Sequence, residues 1–269
     1  MAEKPPISVH ILTFNSAATL RRALTSVRDC AEILLIDGGS TDDTLVIGQE
    51  YGARTIEQRS PNEQGKPLGD FAAARNRGLA HTTQPWILVL DSDEVISPAL
   101  WEEIASIAHQ TQPAAYLLPR RYVESDGTVI AHASTYPNEH LYFFHRDAVV
   151  QWIKPVHERV ELKEGTPVYH LKGASLAPMP TIEEFKTKNL QYIRIEALRS
   201  HGCSWGHWLR HRVLHTLRSR LIALVRILWI WLLPHQGKRL PLTHEFLRFW
   251  YGWKLVVATC PLSHTEPRP

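Results

Sequence analysis

The sequence contains few cysteines and has no apolar segment near its first residues. Its three cysteines, Cys30, Cys203 and Cys260, are far apart, and none belongs to a Cys-x-x-Cys pair. This pattern excludes a disulfide framework and a cysteine-rich zinc site, and it is typical of proteins in a reducing compartment. Residues 1–6 (Met-Ala-Glu-Lys-Pro-Pro) lack the apolar region of a secretory signal. We therefore expect a cytoplasmic protein.

Long apolar runs and glycine-rich nucleotide motifs are also missing. The longest apolar run covers the 13 residues 221–233, and Arg226 interrupts it. Since a helix needs about 20 apolar residues to cross a bilayer, the sequence predicts no transmembrane helix. The chain has no Gly-x-Gly-x-x-Gly motif, which excludes the usual site for a nicotinamide dinucleotide.

Acidic residues are scarce in the last quarter of the chain. Residues 1–200 contain 20 Lys and Arg against 25 Asp and Glu, whereas residues 201–269 contain 10 against 2, so the two parts carry formal charges of −5 and +8. Six of the nine tryptophans also lie in the basic part: Trp205, Trp208, Trp229, Trp231, Trp250 and Trp253. This composition favours an anionic membrane surface over nucleic acid. We therefore expect a peripheral protein on the inner face of the plasma membrane, with no nucleic-acid partner.

The basic part also contains a periodic apolar pattern. Leucine or valine recurs every three or four residues at Leu209, Val213, Leu217, Leu221, Leu224 and Leu228. This spacing predicts an amphipathic helix. Two interpretations remain open, since the apolar face can lie on a membrane or pack on the preceding domain. We favour the membrane.

Strand and helix patterns alternate in the first third of the chain. Four apolar runs predict strands at residues 7–13, 32–37, 54–58 and 86–91, and helical patterns separate them. This order predicts an α/β fold with a mostly parallel sheet, right-handed crossovers and ligands beyond the carboxyl ends of the strands. Shorter segments up to about residue 172 predict a mixed extension of the sheet.

The remainder of the chain has a helical pattern. Helices are predicted at residues 181–200, 207–233 and 243–259. The sequence therefore predicts an α/β domain over residues 1–180 and a helical region over residues 181–269.

Polar residues follow three of the predicted strands. Thr13, Asp37 and Asp91 each end a strand, and Asp93 and Glu94 follow within three residues of Asp91. Clustered carboxylates stay ionised at low cost only around a cation, and hard oxygen ligands suit Mg²⁺ or Mn²⁺. We therefore expect a divalent metal that holds a diphosphate. The alternative is a solvated acidic turn, and we expect Glu94 to cap or support the next helix.

Four short motifs occur in order along the α/β region. They are residues 11–15 (Ile-Leu-Thr-Phe-Asn), 36–42 (Ile-Asp-Gly-Gly-Ser-Thr-Asp), 74–78 (Ala-Arg-Asn-x-Gly) and 90–94 (Leu-Asp-Ser-Asp-Glu). Together they resemble glycosyltransferase family 2, whose nucleotide-sugar-binding fold is called glycosyltransferase A. Residues 155–160 (Pro-Val-His-Glu-Arg-Val) add a similarity to the bacterial branch that includes lipopolysaccharide core glucosyltransferases.

This resemblance implies an inverting, metal-dependent transfer of a hexose from a nucleotide sugar, with UDP as the expected nucleotide, to a saccharide or lipid-linked acceptor of the cell envelope. It also implies a nucleotide site formed by Thr13, Phe14, Asn15, Asp37, Gly39 and Ser40. Asp37 would accept the N3–H of uracil, and Thr13 and Asn15 would supply donors nearby. Phe14 would stack on a ring, or else be an ordinary core residue.

Further residues are expected around the diphosphate. Asp93 would bind the metal directly, and Asp91 would contact the ribose or reach the metal through water. His157 and His170 are candidate further metal ligands. Arg75 would neutralise a phosphate, although an alternative places its side chain on a solvated helix face.

An inverting transfer also needs a carboxylate that takes the proton of the acceptor. The resemblance places Glu158 in this role, and the alternative is a salt bridge between Glu158 and Arg159 or Arg121. Where the family often has Gln-Leu-Arg-Leu-Phe, residues 140–144 of this chain are His-Leu-Tyr-Phe-Phe. The acceptor, the sugar and the linkage therefore stay open.

Two other functions fit parts of the sequence. A hydrophobic strand ending in Asp-x-Asp also begins the haloacid dehalogenase-type phosphatases, but those carry the motif on their first strand, and more than 80 residues precede it here. A catalytically silent nucleotide-sugar-binding or membrane scaffold protein would have the same fold. The intact Asp91, Asp93 and Glu158 favour an enzyme.

Overall fold

The computed structural model describes residues 3–58, 70–155, 158–200 and 202–264. The chain divides into two compact units, of which the first comprises Met1–Tyr122 and Pro137–Pro178 and the second comprises Val123–Tyr136 and Met179–Pro269. The sequence pattern places Val123–Tyr136 in the α/β domain, whereas the structure groups it with the helices. Ile130 in this segment pairs with Lys238, and a pattern of neighbouring residues cannot reveal a pairing between such distant positions.

Four parallel strands form the central part of the sheet in the first unit. They are β1 (Ile7–Thr13), β2 (Glu32–Asp37), β3 (Arg54–Glu57) and β4 (Trp86–Asp91). Their order is β3-β2-β1-β4, and all three pairings are parallel. Thr13 pairs with Asp37, and Leu12 pairs with Asp91. The predicted α/β fold is therefore confirmed, and the three polar strand ends lie at one edge of the sheet.

Helices follow the parallel strands as predicted. They are α1 (Ala17–Ser26), α2 (Thr44–Glu50), α3 (Phe71–His81) and α4 (Pro98–Ile107). The caps differ from the sequence prediction. Ser97, not Glu94, caps α4 by accepting a hydrogen bond from the backbone of Leu100. Asp43, which precedes α2, makes no side-chain cap.

Strands of mixed direction extend the sheet, as the sequence predicts. They are β5 (Val95–Ile96), β6 (Ala115–Val123), β8 (Glu139–His145), β11 (Val168–His170) and β12 (Ser175–Pro178), and a separate hairpin contains β9 (Val149–Ile153) and β10 (Arg159–Leu162). Strand β8 runs antiparallel between β4 and β6, with Phe143 opposite Leu88. The first residues of β8 therefore lie beside the carboxyl end of β4. Strand β9 has no counterpart in the sequence prediction.

The parallel strands form the core of the first unit. Residues Trp86 to Leu90 are at most 2 % exposed, which fits a strand covered on both faces of its sheet and explains its continuous apolar sequence. The Trp86 ring stacks on Phe143 of β8 at 4.9 Å between centroids. This packing fixes the register between β4 and β8 that places the site residues.

The second unit is mostly helical. Its helices are α5 (Ile182–Arg199), α6 (Trp205–Trp208), a π-helical segment (Leu209–Leu214), α7 (His215–Leu232) and α8 (Leu242–Ala258), and its two short strands are β7 (Ile130–His132) and β13 (Lys238–Arg239). The three predicted helical regions are confirmed. Glu245 of α8 is buried and accepts hydrogen bonds from the backbone and hydroxyl of Ser134. This contact fastens the 123–136 segment to α8.

The predicted apolar stripe is exposed in this unit. Leu221 is 63 % exposed and Leu228 is 48 % exposed. Leu217 of the stripe is exposed as well, and so are other large apolar side chains of α7 and α8: Ile222, Val225, Trp229, Phe246 and Trp253. Within the described ranges, no helix is long and apolar enough to cross a membrane.

Candidate active site

The ends of β1 and β2 are joined by the carboxylate of Asp37. Its Oδ1 accepts hydrogen bonds from the hydroxyls of Thr13 (2.7 Å) and Ser40 (2.6 Å), and its Oδ2 accepts from the backbone of Gly39 and Ser40, both at 2.8 Å. A carboxylate has about four acceptor sites, so these bonds occupy all of them. Asp37 therefore stabilises the turn after β2. A contact between Asp37 and uracil would have to displace or share one of these hydrogen bonds.

The turn after β2 is also tied to the loop after β1. Asn15 has a left-handed backbone with φ of 49°, and its side-chain oxygen accepts a hydrogen bond from the backbone of Thr41 at 2.8 Å. The Asn15 backbone donates to the hydroxyl of Ser40 at 2.9 Å. This arrangement leaves the Phe14 ring 62 % exposed. The alternative that Phe14 is a core residue is therefore wrong, and its ring is available to a planar ligand.

Gln58 is a buried polar residue that the sequence analysis missed. Its side-chain nitrogen donates to the carbonyl oxygens of Thr13 (3.0 Å) and Ile36 (2.9 Å). At Gly38, a Cβ atom would approach the side chains of Gln58 at 3.0 Å and Phe14 at 3.2 Å. A larger residue at this position would require the side chains of Gln58 and Phe14 to shift. The available signal in the sequence was a polar residue at the end of the predicted strand 54–58, like Thr13 and Asp37 at the ends of their strands.

Arg75 connects α3 with the acidic end of β4. Its side chain is 4 % exposed, so the alternative of a solvated helix face is wrong. Its Nε donates to Glu158 at 2.9 Å, and its Nη2 lies 3.4 Å from Asp91 Oδ1. Two aromatic rings cover the guanidinium, Trp152 at 5.1 Å and Tyr142 at 5.4 Å from their centroids.

The remaining nitrogen of Arg75 is not used by the protein. Its Nη1 is buried and has no hydrogen-bond partner among the described residues. Burial works against the charge, but Tyr142, Asp91 and Glu158 together raise the pKa of Arg75. A permanently charged donor therefore remains free at the edge of the sheet, and an anionic oxygen is the partner that suits it.

The motif around Arg75 serves packing as well. The Asn76 side chain donates to the carbonyl of Trp152 (2.9 Å) and accepts from its backbone nitrogen (2.7 Å), which fixes β9 to α3. At Gly78, a Cβ atom would lie 2.6 Å from Ile36 and 3.0 Å from His10. The glycine therefore lets α3 lie close on the sheet, and this close approach positions Arg75.

Acidic residues after β4 differ in their surroundings. Asp91 is partly exposed, and Asp93 is exposed, with no partner for its carboxylate among the described residues. Glu94 is buried and accepts a hydrogen bond from Arg120 Nε. Burial raises the pKa of Glu94 to about 7, the negative charge of Asp91 adds to this, and Arg120 opposes it. Glu94 is therefore a structural partner of Arg120.

The donor set at this strand end fits a hard divalent cation. Asp91 and Asp93 offer carboxylate oxygens at one accessible edge, and these oxygens are the ligands that Mn²⁺ and Mg²⁺ prefer. No group of three His, Cys, Asp or Glu side chains placed to hold a metal occurs within the described part of the chain. His170 instead contacts Glu139 at 2.9 Å. His157 lies outside the described residues.

Glu158 lies at the start of the β9–β10 hairpin's second strand. Its side chain is 14 % exposed, and it forms an ion pair with Arg75. The pair joins residues 83 positions apart. Only Oε1 of Glu158 takes part in this pair, so the second carboxylate oxygen can accept a hydrogen bond from a donor.

His140 is a second residue that the sequence analysis left without a role. It lies on β8 beside the end of β4, and its Nε2 is buried without a hydrogen-bond partner among the described residues. Burial and the charge of Arg120 lower the pKa of His140, while Asp91 opposes this shift. The neutral ring can donate to or accept from a hydroxyl. In the sequence, the signal for His140 was the departure of residues 140–144 from the family pattern.

Comparison with known proteins gives the family. A sequence model described as glycosyl transferase family 2 matches residues 8–159, which is more than half of the chain. The TPR repeat-containing protein Synpcc7942_0270 of Synechococcus elongatus is 30% identical over 156 residues, covering 58% of this chain and 35% of that protein. The lipopolysaccharide core biosynthesis glycosyltransferase LpsC of Rhizobium meliloti is 34% identical over 103 residues, covering 38% of this chain and 37% of that protein. The aligned part thus spans little more than a third of these relatives.

Solved structures with a similar fold include two further proteins. TarS 1-349 of S. aureus in complex with UDP-GlcNAc has a TM-score of 0.49 at 16% identity, covering 90% of this chain and 70% of that chain. Glucosyl-3-phosphoglycerate synthase of Mycobacterium tuberculosis, in complex with Mn²⁺, UDP and glucosyl-3-phosphoglycerate, has a TM-score of 0.46 at 19% identity, covering 71% and 77%.

Proposed function

The chain belongs to glycosyltransferase family 2 and has the glycosyltransferase A fold, and on this premise we propose that it transfers a hexose from a UDP-sugar to a cell-envelope acceptor with inversion at the anomeric carbon. Membership in this family excludes the phosphatase alternative. The observation that carries the proposal is the group formed by Arg75, Asp91 and Glu158 at the carboxyl end of β4. It combines a buried cation, a carboxylate for metal binding and a carboxylate for proton transfer.

The nucleotide lies, in this proposal, over the ends of β1 and β2. The exposed Phe14 ring stacks on the base, and the turn held by Asp37 presents the backbone of Gly39 and Ser40. The free Nη1 of Arg75 donates to a phosphate oxygen. Uracil is favoured by the resemblance of the motifs, and the described contacts add no preference of their own.

Asp91 and Asp93 are the proposed ligands of a divalent metal, Mn²⁺ or Mg²⁺. When bound, such an ion supplies positive charge that stabilises the leaving diphosphate. Arg75 supports the same charge from the side of α3. Its ion pair with Glu158 holds the guanidinium in place before the substrate arrives.

Glu158 is the proposed general base. Its carboxylate accepts the proton of the attacking acceptor hydroxyl, while the oxygen of that hydroxyl forms a bond to the anomeric carbon. The bond from this carbon to the diphosphate oxygen breaks, and the electron pair leaves with the UDP. Attack from the face opposite the diphosphate inverts the configuration. His140 is near enough to this part of the sheet to orient a sugar hydroxyl.

A saccharide or lipid-linked acceptor of the cell envelope is the proposed second substrate. The relation to LpsC, named for lipopolysaccharide core biosynthesis, supports an acceptor of this kind. The exposed apolar side chains and positive charge of the second unit support a peripheral site on the inner face of the membrane. Such a location would bring the enzyme to a lipid-linked acceptor.

Nucleotide binding is expected to require both a divalent ion and Asp93. In calorimetry with UDP and Mn²⁺, Asp93→Asn should bind at least about tenfold more weakly than the wild type, because the diphosphate loses a charge-assisted contact. EDTA should weaken UDP binding by the wild type by a similar factor, and it should change UDP binding by the variant little. The control is Asp29→Asn, which changes an exposed carboxylate far from Asp93 in the sequence. If wild type and Asp93→Asn bound UDP with the same affinity, and metal made no difference to either, the metal role of Asp93 would be disproved.

Membrane binding is expected to depend on the exposed stripe. The double variant Leu221→Glu, Leu228→Glu should reduce sedimentation with vesicles containing anionic lipid at least about tenfold, because burying a leucine contributes about 2 kcal/mol. Val46→Glu, at a 54 % exposed position of α2, should bind like the wild type. High salt should weaken binding without abolishing it. Wild-type protein that stays in the supernatant at low salt would exclude this location.

A further inference from the structure

The imidazole of His140 is left unsatisfied in the sheet of the first unit. His140 belongs to β8 and pairs with Leu118 of β6. Its Nε2 atom is buried and has no hydrogen-bond partner among the described residues. A buried polar atom without a partner costs free energy, and in folded proteins a bound water, an ion or a ligand typically completes it. His140 is therefore a candidate contact for a substrate.

One aromatic ring separates His140 from the group that carries the proposed reaction. The rings of His140 and Tyr142 lie 5.0 Å apart between their centroids. On Tyr142, in turn, lies the guanidinium of Arg75, with its Cζ 5.4 Å from the ring centroid. Arg75 donates to Glu158 at 2.9 Å and lies 3.4 Å from Asp91. This chain of contacts places His140 beside the reacting groups.

The surroundings of His140 also set its protonation state. Burial is the main cause that lowers the pKa of His140, and the charge of Arg120 lowers it further. Asp91 and Glu158 oppose this shift. The ring is therefore neutral at neutral pH, so that one of its nitrogens donates and the other accepts. A sugar hydroxyl both donates and accepts, and it suits Nε2 in either tautomer.

Two carboxylates near His140 have different tasks in the proposed reaction. Asp91 lies on the side of the diphosphate, and Glu158 lies on the side of the attacking hydroxyl. The transferred hexose has to lie between these two sides, because its anomeric carbon exchanges one oxygen for the other. The charges of both carboxylates act on the His140 ring. The hexose is therefore the part of the substrates that His140 is best placed to contact.

We propose that Nε2 of His140 binds a hydroxyl of the hexose carried by the nucleotide and thereby helps to select this sugar. The inference rests on the hexose transfer proposed above. It gives a role to the histidine at a position where the family often has glutamine. A buried group that bonds a substrate hydroxyl discriminates against a sugar that does not offer this hydroxyl, because the group is then left unpaired.

Calorimetry with the full chain and Mn²⁺ tests this role. The ligands are UDP, UDP-glucose, UDP-galactose and UDP-N-acetylglucosamine. His140→Phe keeps a planar ring but loses both nitrogens, so it should weaken binding of the UDP-sugar that the wild type prefers about tenfold. Its affinity for UDP should change little, because UDP carries no hexose. The variant should also discriminate less among the three sugars than the wild type does.

Two further variants complete this experiment. His140→Gln keeps a donor and an acceptor, so it should bind the preferred UDP-sugar more tightly than His140→Phe does. His109→Phe is the matched control, because it makes the same change at an exposed position after α4. It should bind all four ligands like the wild type. If His140→Phe does not fold, His140→Met takes its place.

The outcomes separate this role from the proposed transfer. If the wild type bound UDP-sugars and His140→Phe bound them equally well, the role of His140 would be overturned while hexose transfer stood. An equal loss for UDP and the UDP-sugars would also overturn it, and would make His140 a support of the residues around Arg75. A higher KM for the acceptor with unchanged UDP-sugar binding would overturn it in favour of an acceptor contact. Wild type that bound UDP but none of the sugars would contradict both proposals.

Discussion

Replacement of Glu158 by glutamine is expected to lower kcat by about 10²–10⁴-fold, the range typical for loss of a general base. The affinity for UDP should change little, because glutamine keeps the size of the side chain and an oxygen that can accept from Arg75. The acidic limb of the pH–rate profile should flatten in the variant, since this limb reports deprotonation of the base. Steady-state kinetics with a matched sugar donor and calorimetry with UDP measure both effects.

Glu161→Gln is the control for this prediction. Glu161 lies on the same strand, β10, and is bonded to Gln151 at 2.9 Å. Its replacement should leave kcat nearly unchanged, because its carboxylate accepts from Gln151, whereas Arg75 donates to Glu158. If Glu158→Gln kept normal turnover, the base would lie elsewhere, with Glu139 the next candidate. A loss of UDP affinity together with an unchanged pH profile would instead make Glu158 a residue that positions Arg75.

Replacement of Arg75 by methionine is expected to lower the free energy of unfolding by about 3 kcal/mol. The change leaves Glu158 and Asp91 without their cation, and breaking a buried ion pair on one side typically costs 3–5 kcal/mol. We expect the lower end of this range, because Asp91 is partly exposed. Urea unfolding of the full chain measures this loss. Arg22→Met, at an exposed position of α1, should change the unfolding free energy by less than about 0.5 kcal/mol.

A double variant gives the sharper comparison. Arg75→Met combined with Glu158→Gln should lose less stability than the sum of the two single changes, because the second change removes the carboxylate that the first leaves uncompensated. Additive losses would mean that Arg75 and Glu158 do not stabilise each other. The cation would then act mainly through its packing against Trp152 and Tyr142.

Local patterns were sufficient for the order of the elements. The continuous apolar runs of β1, β2 and β4 predict buried parallel strands, since both faces of such strands are covered. The strand ends at Thr13, Asp37 and Asp91 then lie at one edge of the sheet. The helices α5, α7 and α8 also follow from their spacing of apolar residues. Each of these inferences depends only on neighbours in the sequence.

The partners of the site residues could not be predicted in the same way. The hydrogen bonds that Asp37 accepts from Thr13, Gly39 and Ser40 depend on how the turn after β2 folds back on the carboxylate, which a motif does not show. Arg75 meets Glu158 across the packing of α3 on β9, which the hydrogen bonds between Asn76 and Trp152 hold together. The exposure of Phe14 likewise goes with contacts of its neighbour Asn15 with Ser40 and Thr41, which lie 25 and 26 positions away.

The sequence by itself determined the fold class, the family and the edge of the sheet where the chemistry lies, because motifs and periodicity are properties of contiguous residues. Only the tertiary structure decided which charges are paired. Arg75 with Glu158, Glu94 with Arg120 and Arg212 with Glu196 join residues 83, 26 and 16 positions apart. Such pairings depend on how elements pack, and burial then determines which donors, such as Arg75 Nη1, have no partner among the described residues.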